Sequence, residues 1–235
     1  MLVRPTSIIR GVVFPGAVLA LLSLSCANKP PSGGPGTYRG VLVSSTATGS
    51  LDVTVGEASR GPFPASGTLV LGDTTSSLSG TLDRSNATLS LSSTDGYQLT
   101  GDSRPAYAFG SFTSSQDRGS FAIYLEPANS SPVILFCGSF FWKFPADTSP
   151  SPFAVAATPS GAAMCVGPSF VWFGNLNGYD ALECEGSATS AVLGNVDLDA
   201  GNQWGTGDDY GSWTLAPCGA SAADGPDGGS GSAAD

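Results

Sequence analysis

Residues 66–91 read SGTLVLGDTTSSLSGTLDRSNATLSL, and this stretch decides the fold class. Leucine recurs two or four positions apart, mostly among serine, threonine and glycine, in three short runs at 68–71, 78–82 and 88–91. Polar residues typical of turns, such as Gly72-Asp73, separate the runs. A period of two places successive side chains on opposite faces of a strand. The stretch therefore predicts antiparallel strands joined by short turns.

The same pattern extends outward over most of the chain. Only 12% of the residues are charged and 32 are glycine, so strong helix formers are scarce, and no window keeps a helical stripe of apolar residues. We therefore predict an all-β fold, an antiparallel meander that forms an up-and-down barrel or a sandwich and is stapled by disulfides. The further runs lie at 37–43, 51–55, 106–112, 120–125, 133–142, 170–173, 191–196 and 212–215.

A short motif of glycine, then serine or threonine, then an apolar residue recurs within these runs. Its glycines are Gly67, Gly80, Gly110, Gly119 and Gly138. Glycine inside a strand marks a bend or a close backbone approach, which a strongly curved sheet needs. We interpret the motif as the composition of a β-meander, with internal duplication as the alternative.

Composition also excludes several kinds of function. The chain contains no histidine, which removes Ser-His-Asp and Cys-His catalysis and every imidazole metal site. Nine basic residues against nineteen acidic ones give a net charge of −10, which argues against a nucleic acid partner.

Residues 1–25 are typical of an export signal peptide. Arg4 and Arg10 supply the positive start, and the apolar stretch 11–25 follows them. That stretch is shorter than the roughly 20 residues that a membrane-spanning helix needs. Small residues around position 26 mark the cleavage region.

The end of this segment resembles the lipobox of bacterial lipoproteins, and it reads Leu22-Ser23-Leu24-Ser25-Cys26. Ser25 matches the small residue before the lipobox cysteine, whereas the two residues before Ser25 stand in swapped order. The resemblance implies a diacylated Cys26 as the mature N-terminus. Because Ala27 and not aspartate follows the cysteine, it also implies an outer-membrane location. The alternative from the residues alone is plain secretion, with cleavage after Ala27.

The mature chain divides into a tether, a folded region and a tail. Residues 26–36 are rich in proline and glycine and predict a lipid-anchored tether, whereas 219–235 have nothing to bury and predict a disordered tail. The β-domain then covers 37–218. Four prolines in 145–161 predict a long middle loop within one domain, and two subdomains are the alternative.

The cysteine count predicts two disulfides. Beyond Cys26 the chain has four cysteines, an even number in an exported protein, at Cys137, Cys165, Cys184 and Cys218. Sequence order favours Cys137 with Cys165 and Cys184 with Cys218, and a crossed pairing stays open. The sequence contains no C-x-x-C pair, the usual spacing of zinc-binding cysteines, so a zinc site is not supported.

Two acidic groups are candidates for chemistry. Glu183 and Glu185 flank Cys184, with Asp180 nearby, and on a strand the two glutamates share one face, as a glycosidase pair would require. We favour the alternative that they form a solvated face of an edge strand.

The second acidic group, Asp197, Asp199 and Asp208, occupies positions one, three and twelve of a calcium loop. Gly201 and Asn202 occupy positions five and six, where the loop demands an oxygen-bearing side chain and a glycine. An acidic turn explains the stretch better than a calcium site.

The sequence contains two aromatic clusters. Their rings are either exposed surfaces on which sugars stack or side chains that pack the interior of a barrel. Where aromatics occupy successive positions of a strand, one alternate set faces outward. We favour core packing for most of these residues, which are Phe140, Phe141, Trp142, Phe144, Phe170, Trp172 and Phe173.

These observations together predict a membrane-tethered protein of the cell envelope, whose β-domain binds or scaffolds without catalysis, cofactor or metal. Its expected partners are the membrane, through the lipid anchor, and a small ligand, a glycan or an envelope protein. The alternatives are an exported hydrolase that uses Asp and Glu alone and a calcium-stabilised adhesion module. An open polar barrel interior would favour a bound ligand.

Overall fold

The computed structural model describes residues 32–128, 131–142, 149–177, 181–187, 190–194, 203–207 and 211–219. Within these residues the regular structure is entirely β-strand, and every strand pairing is antiparallel. The prediction of an all-β antiparallel fold is therefore confirmed. The predicted signal peptide 1–25, the first part of the predicted tether and the predicted tail from 220 onward lie outside the described residues.

The first eight strands form a closed up-and-down barrel. Each strand pairs with the next along the chain, and β1 pairs with β8 to complete the circle. Of the two predicted alternatives, the barrel is the one that forms. The strands are β1 Gly36–Ser44, β2 Thr48–Val55, β3 Phe63–Leu71, β4 Thr74–Asp83, β5 Thr88–Ser93, β6 Gln98–Ser103, β7 Tyr107–Thr113 and β8 Arg118–Leu125.

The second eight strands form another curved sheet with the same order of connections. Its first and last strands pair, as they do in the closed barrel, and β14 and β15 stand at the two ends of the hydrogen-bonded ladder. The strands are β9 Ile134–Trp142, β10 Ser151–Ala157, β11 Ala162–Gly167, β12 Phe170–Asn177, β13 Ala181–Ser187, β14 Ser190–Gly194, β15 Gln203–Gly207 and β16 Gly211–Pro217.

Each sheet encloses its own apolar core because alternate residues of every strand point inward. In the first barrel Tyr38, Leu42, Phe112 and Phe121 are among the largest fully buried side chains. Their burial stabilises the barrel, at about 1.5–3 kcal/mol for each large apolar side chain. The second core is more aromatic, and its buried members include Phe136, Phe140, Phe153 and Trp213.

Inward glycines allow the strands to coil tightly. A Cβ atom on Gly40 of β1 would overlap the carbonyl oxygen of Ala122 on β8. Gly138 of β9 has the same relation to Thr214 of β16, so an equivalent glycine lies where each sheet joins its first strand to its last. The recurring glycine motif is thus explained by close approach of backbones.

A third core joins the two sheets. The outer faces of β1 and β8 pack against the outer faces of β10 and β11, so these four strands are buried on both faces over much of their length. The buried side chains between the sheets are Val41, Val43, Ala122, Tyr124, Val133, Ala154, Ala156, Met164 and Val166.

The prediction of a long loop over 145–161 is wrong for its central part, because β10 occupies Ser151–Ala157. Pro152 lies in this strand opposite Ser139 of β9, but the ladder between β10 and β11 begins only at Ala154. A proline is tolerated there because the strand needs no hydrogen-bond donor on its second side.

The two predicted disulfides are confirmed, but the predicted pairing is wrong. Cys137 pairs with Cys218 and Cys165 pairs with Cys184, with Cα–Cα distances of 4.9 and 6.1 Å. Cys218 lies beside Cys137 because β16 returns to β9, and Cys165 and Cys184 both point into the second core. Sequence order cannot reveal the pairing because the strands bring together residues that are far apart in the chain, as β9 and β16 do.

Candidate functional site

The interior of the first barrel is filled by side chains rather than open to a ligand. Apart from glycines and a few serines, its inward residues are apolar and almost fully buried from one end of the barrel to the other. The buried serines near the barrel ends have partners of their own: Ser76 donates to Asp95 Oδ2 at 2.9 Å, and Ser103 Oγ accepts from the Gly33 amide at 3.0 Å. A binding surface must therefore be sought on the outside of the sheets.

The glutamates weighed as a catalytic pair lie on strand β13, which pairs with both β12 and β14 and is therefore not the edge strand that was expected. Leu182 and Cys184 are buried in the second core, and Glu183 between them lies on the outer face, in register with Asn175 of β12. The backbone of Glu185 is in register with Phe173, whereas its side chain and the whole of Asp180 lie outside the described residues. The structure thus places Glu183 on an outer sheet surface.

The candidate calcium ligands Asp197, Asp199 and Asp208 lie outside the described residues, as do Gly201 and Asn202. Among the residues that are described, no group of three cysteine, aspartate or glutamate side chains is placed to hold a metal ion.

The two aromatic clusters divide between the inside and the outside, as strand alternation predicts. Phe140 is buried in the second core, and Trp172 packs against that core in a stack with Phe170, at 4.3 Å between ring centroids. Phe141 and Phe173 point outward and are 38% and 40% exposed. The side chain of Trp142 and the whole of Phe144 lie outside the described residues.

Phe173 belongs to an aromatic group that spans the two sheets, and we call Tyr107, Phe109 and Phe173 the outer aromatic patch. The ring of Phe173 on β12 lies 5.1 Å from that of Phe109 and 5.5 Å from that of Tyr107, both on β7. Phe109 meets Phe173 edge to face, a geometry that aromatic pairs favour. The patch therefore holds a partly exposed phenylalanine in a fixed position.

Tyr124 supports the outer aromatic patch from below. It lies in register with Tyr107 and its ring is 6.2 Å away, but the side chain is only 5% exposed. Burial raises the pKa of Tyr124 well above its usual value of 10, and the neighbouring Tyr107 raises it further. The phenol therefore stays neutral under ordinary conditions.

Polar and charged side chains lie on either side of the patch. On one side, exposed Asn175 follows Phe173 on the same outer face of β12, with Glu183 opposite it. On the other side, Arg39 is in register with Tyr124 and pairs with Asp52 at 3.1 Å and with Glu126 at 3.8 Å. The patch is thus an apolar surface with hydrogen-bonding groups at its edge.

Sequence reasoning identified Phe173 but missed Tyr107 and Phe109. The available signal was the run 106–112, which has aromatics at odd positions and Phe112 at an even one. Apolar residues on both faces of one strand indicate that both faces are covered, and here the second cover is the other sheet.

No helix among the described residues is long and apolar enough to cross a membrane. No protein-family model, no curated protein and no solved structure matches the chain.

Proposed function

We propose that the mature chain is a lipid-anchored, non-catalytic protein of the bacterial cell envelope that binds an envelope glycan through the outer aromatic patch. The observation that carries the binding role is the patch itself. It is a fixed, partly exposed group of rings on the outside of a molecule whose first barrel is filled with apolar side chains.

The disulfides support export. Stable disulfides form in oxidising compartments outside the cytoplasm, and both bonds here lie within the β-domain. Because the four cysteines of that domain pair with one another, Cys26 has no disulfide partner there and is left for acylation. Two acyl chains give stable membrane anchoring, whereas one chain gives only marginal binding.

The composition of the patch supports a glycan as its partner. A sugar ring has an apolar face of C–H groups and an edge of hydroxyls. The face stacks on an aromatic ring such as Phe173, and the hydroxyls bond to amide and carboxylate groups such as those of Asn175 and Glu183. Rigid aromatic anchors are effective in recognition because little side-chain freedom is lost on binding.

Detergent phase partitioning of the full-length protein, expressed with its own signal, tests the anchor. We expect the wild type in the detergent phase and Cys26→Ala in the aqueous phase, because the variant cannot be acylated. Recovery of both forms from the aqueous phase, with mature chains that begin after Ala27, would establish plain secretion instead.

Co-sedimentation with purified peptidoglycan sacculi tests the binding role. Phe173→Ala removes the exposed ring of the patch, and Phe141→Ala removes an equally exposed phenylalanine on β9 and serves as the matched control. We expect wild type and Phe141→Ala to sediment alike, and Phe173→Ala to lose about tenfold or more in affinity, as loss of an interface anchor typically causes.

Two results would contradict the glycan role. Either the wild type does not sediment with sacculi, or Phe173→Ala and Phe141→Ala sediment equally. Release of soluble sugar fragments by the wild type would support the hydrolase alternative, and Glu183→Gln would then identify whether that carboxylate takes part.

A further inference from the structure

Acidic residues border the outer aromatic patch on both sheets. On the second sheet, Glu183 lies on the outer face of β13, diagonally across from Phe173 of β12. Diagonal neighbours on paired antiparallel strands lie about 7–8 Å apart. On the first sheet, exposed Asp102 of β6 is in register with Phe109. A ligand ring that stacks on Phe173 therefore has its substituents within reach of a carboxylate.

Glu183 has no basic partner in the part of the chain that the structure describes. Strands β7, β12 and β13, which carry the patch and this glutamate, contain no lysine or arginine. The salt bridges between described residues all involve Arg39 or Arg104, and none of them includes Glu183. Its side chain is half-buried at the outer surface. Glu183 thus presents an uncompensated negative charge beside the patch.

The sum of the charges around the patch is negative as well. Six acidic and three basic residues lie on the neighbouring strands β1, β2, β6, β8 and β13 and in the segments next to them. They are Asp52, Asp102, Asp117, Glu126, Glu183 and Glu185 against Arg39, Arg104 and Arg118. The second half of the chain adds to the excess, because residues 131–218 contain eight acids and one basic residue, Lys143. A charged ligand is therefore attracted to the patch if it is positive and repelled if it is negative.

An aromatic ring beside a carboxylate suits a sugar that carries a positive charge. The face of an aromatic ring attracts a cation, and a carboxylate accepts strong charge-assisted hydrogen bonds from an ammonium group. A neutral N-acetylated sugar stacks on the ring but gains nothing from the charge. Sugars that bear phosphate or carboxylate groups meet a surface of their own sign.

We propose that the outer aromatic patch selects glycans with free amino groups, stacking the sugar ring on Phe173 and pairing its ammonium group with Glu183. The inference rests on the proposed glycan role and specifies the class of sugar. Free amino groups distinguish such a glycan from an N-acetylated one of the same backbone, so the selection can be measured with two ligands that differ in nothing else.

Calorimetric titration of the purified full-length protein tests the selection. The ligands are the β-1,4-linked tetramer of glucosamine and the matching tetramer of N-acetylglucosamine. The titration is done at about pH 6, where amines of this kind are protonated. We expect the glucosamine tetramer to bind about fivefold more tightly, the upper range for one ion pair at a protein surface.

Two variants test whether Glu183 is responsible. Glu183→Gln removes the negative charge and keeps the size of the side chain, so the ratio of the two affinities should fall to about twofold or less. Asp73→Asn makes the same change of net charge in the exposed turn between β3 and β4, outside the patch, and is the matched control. Its ratio should equal that of wild type, because salt screens charges that lie more than about 10 Å apart.

Three results would overturn the inference. In the first, wild type binds both tetramers equally or binds neither. In the second, Glu183→Gln keeps the ratio of wild type. In the third, tetralysine binds as tightly as the glucosamine tetramer, so that charge alone explains the affinity. The glycan role itself survives the first two of these results if wild type sediments with sacculi and Phe173→Ala does not, so the two failures are distinguishable.

Discussion

At the scale of single residues, glycine sets the curvature of both sheets. Gly40 and Gly138 lie at equivalent places, each on the first strand of a sheet and each beside a carbonyl of the last strand. Any side chain there would push apart the first and the last strand of the sheet. The glycine motif seen in the sequence therefore has a steric cause.

Gly138→Ala should destabilise the protein by about 1–3 kcal/mol, because the added methyl group meets backbone and cannot be relieved by a side-chain rotation. Gly34→Ala is the control, since a Cβ at Gly34 would meet no atom within 4 Å. Urea unfolding monitored by circular dichroism measures both. Equal midpoints for Gly138→Ala and wild type would contradict the steric explanation.

Tyr124 should make the protein sensitive to alkali. Its pKa is raised by burial in the folded state, so its contribution to stability is complete below about pH 10, where the unfolded phenol titrates. Above that pH the unfolded chain releases the proton first and stability falls, by up to about 1.4 kcal/mol for each pH unit. Tyr124→Phe should therefore lose less stability than wild type between about pH 8 and pH 10.5.

Urea midpoints at the two pH values give this difference. Tyr97→Phe removes the same hydroxyl group from a half-buried tyrosine of the first barrel and is measured alongside. If Tyr124→Phe loses as much stability as wild type over this pH range, ionisation of the Tyr124 phenol is not the cause of the loss of stability in alkali.

At the scale of strands, pairing explains where proline is accepted. Pro64 of β3, Pro152 of β10 and Pro217 of β16 all lie inside strands, yet each occupies a position with a ladder on one side only. The sequence shows the prolines but not the neighbours, so the segment around Pro152 was predicted to be a loop. Proline content alone cannot distinguish a strand end from a connection.

The sequence predicts the elements of this fold better than it predicts their long-range contacts. Alternation over 66–91 is a local property, and it is sufficient for the strands and the turns, but it left a barrel and a sandwich both open. The disulfide partners and the pairing of β9 with β16 depend on residues far apart in the chain. The outer aromatic patch could be predicted only in part. Phe173 belongs to an aromatic run that the sequence shows, whereas its contact with Tyr107 depends on the packing of the two sheets.

The Cys137–Cys218 bond should stabilise the protein more than the Cys165–Cys184 bond. The two bonds span 81 and 19 residues. Loop-closure entropy then predicts about 4–5 kcal/mol for the longer loop and about 3 kcal/mol for the shorter. Paired alanine substitutions at each bond, compared by urea unfolding, measure the difference. A larger loss on removal of Cys165–Cys184 would show that packing inside the second core outweighs chain entropy.

At the scale of the whole molecule, the core between the sheets should make the two halves unfold together. Wild type is expected to show one transition at the same urea concentration by tryptophan fluorescence and by circular dichroism. All four tryptophans lie in the second sheet, so their fluorescence reports that half, whereas circular dichroism reports both.

Ala154→Asp should uncouple the halves. Ala154 is completely buried on the outer face of β10 in the core between the sheets, so the variant places an unpaired carboxylate there, at a cost of about 3–5 kcal/mol. The second sheet should then unfold at lower urea, while the closed barrel keeps part of the circular dichroism signal. Ala106→Asp, at an exposed loop residue, is the control and should leave both curves unchanged. Separate transitions in the wild type, or coincident ones in Ala154→Asp, would show that contact between the sheets does not govern cooperativity.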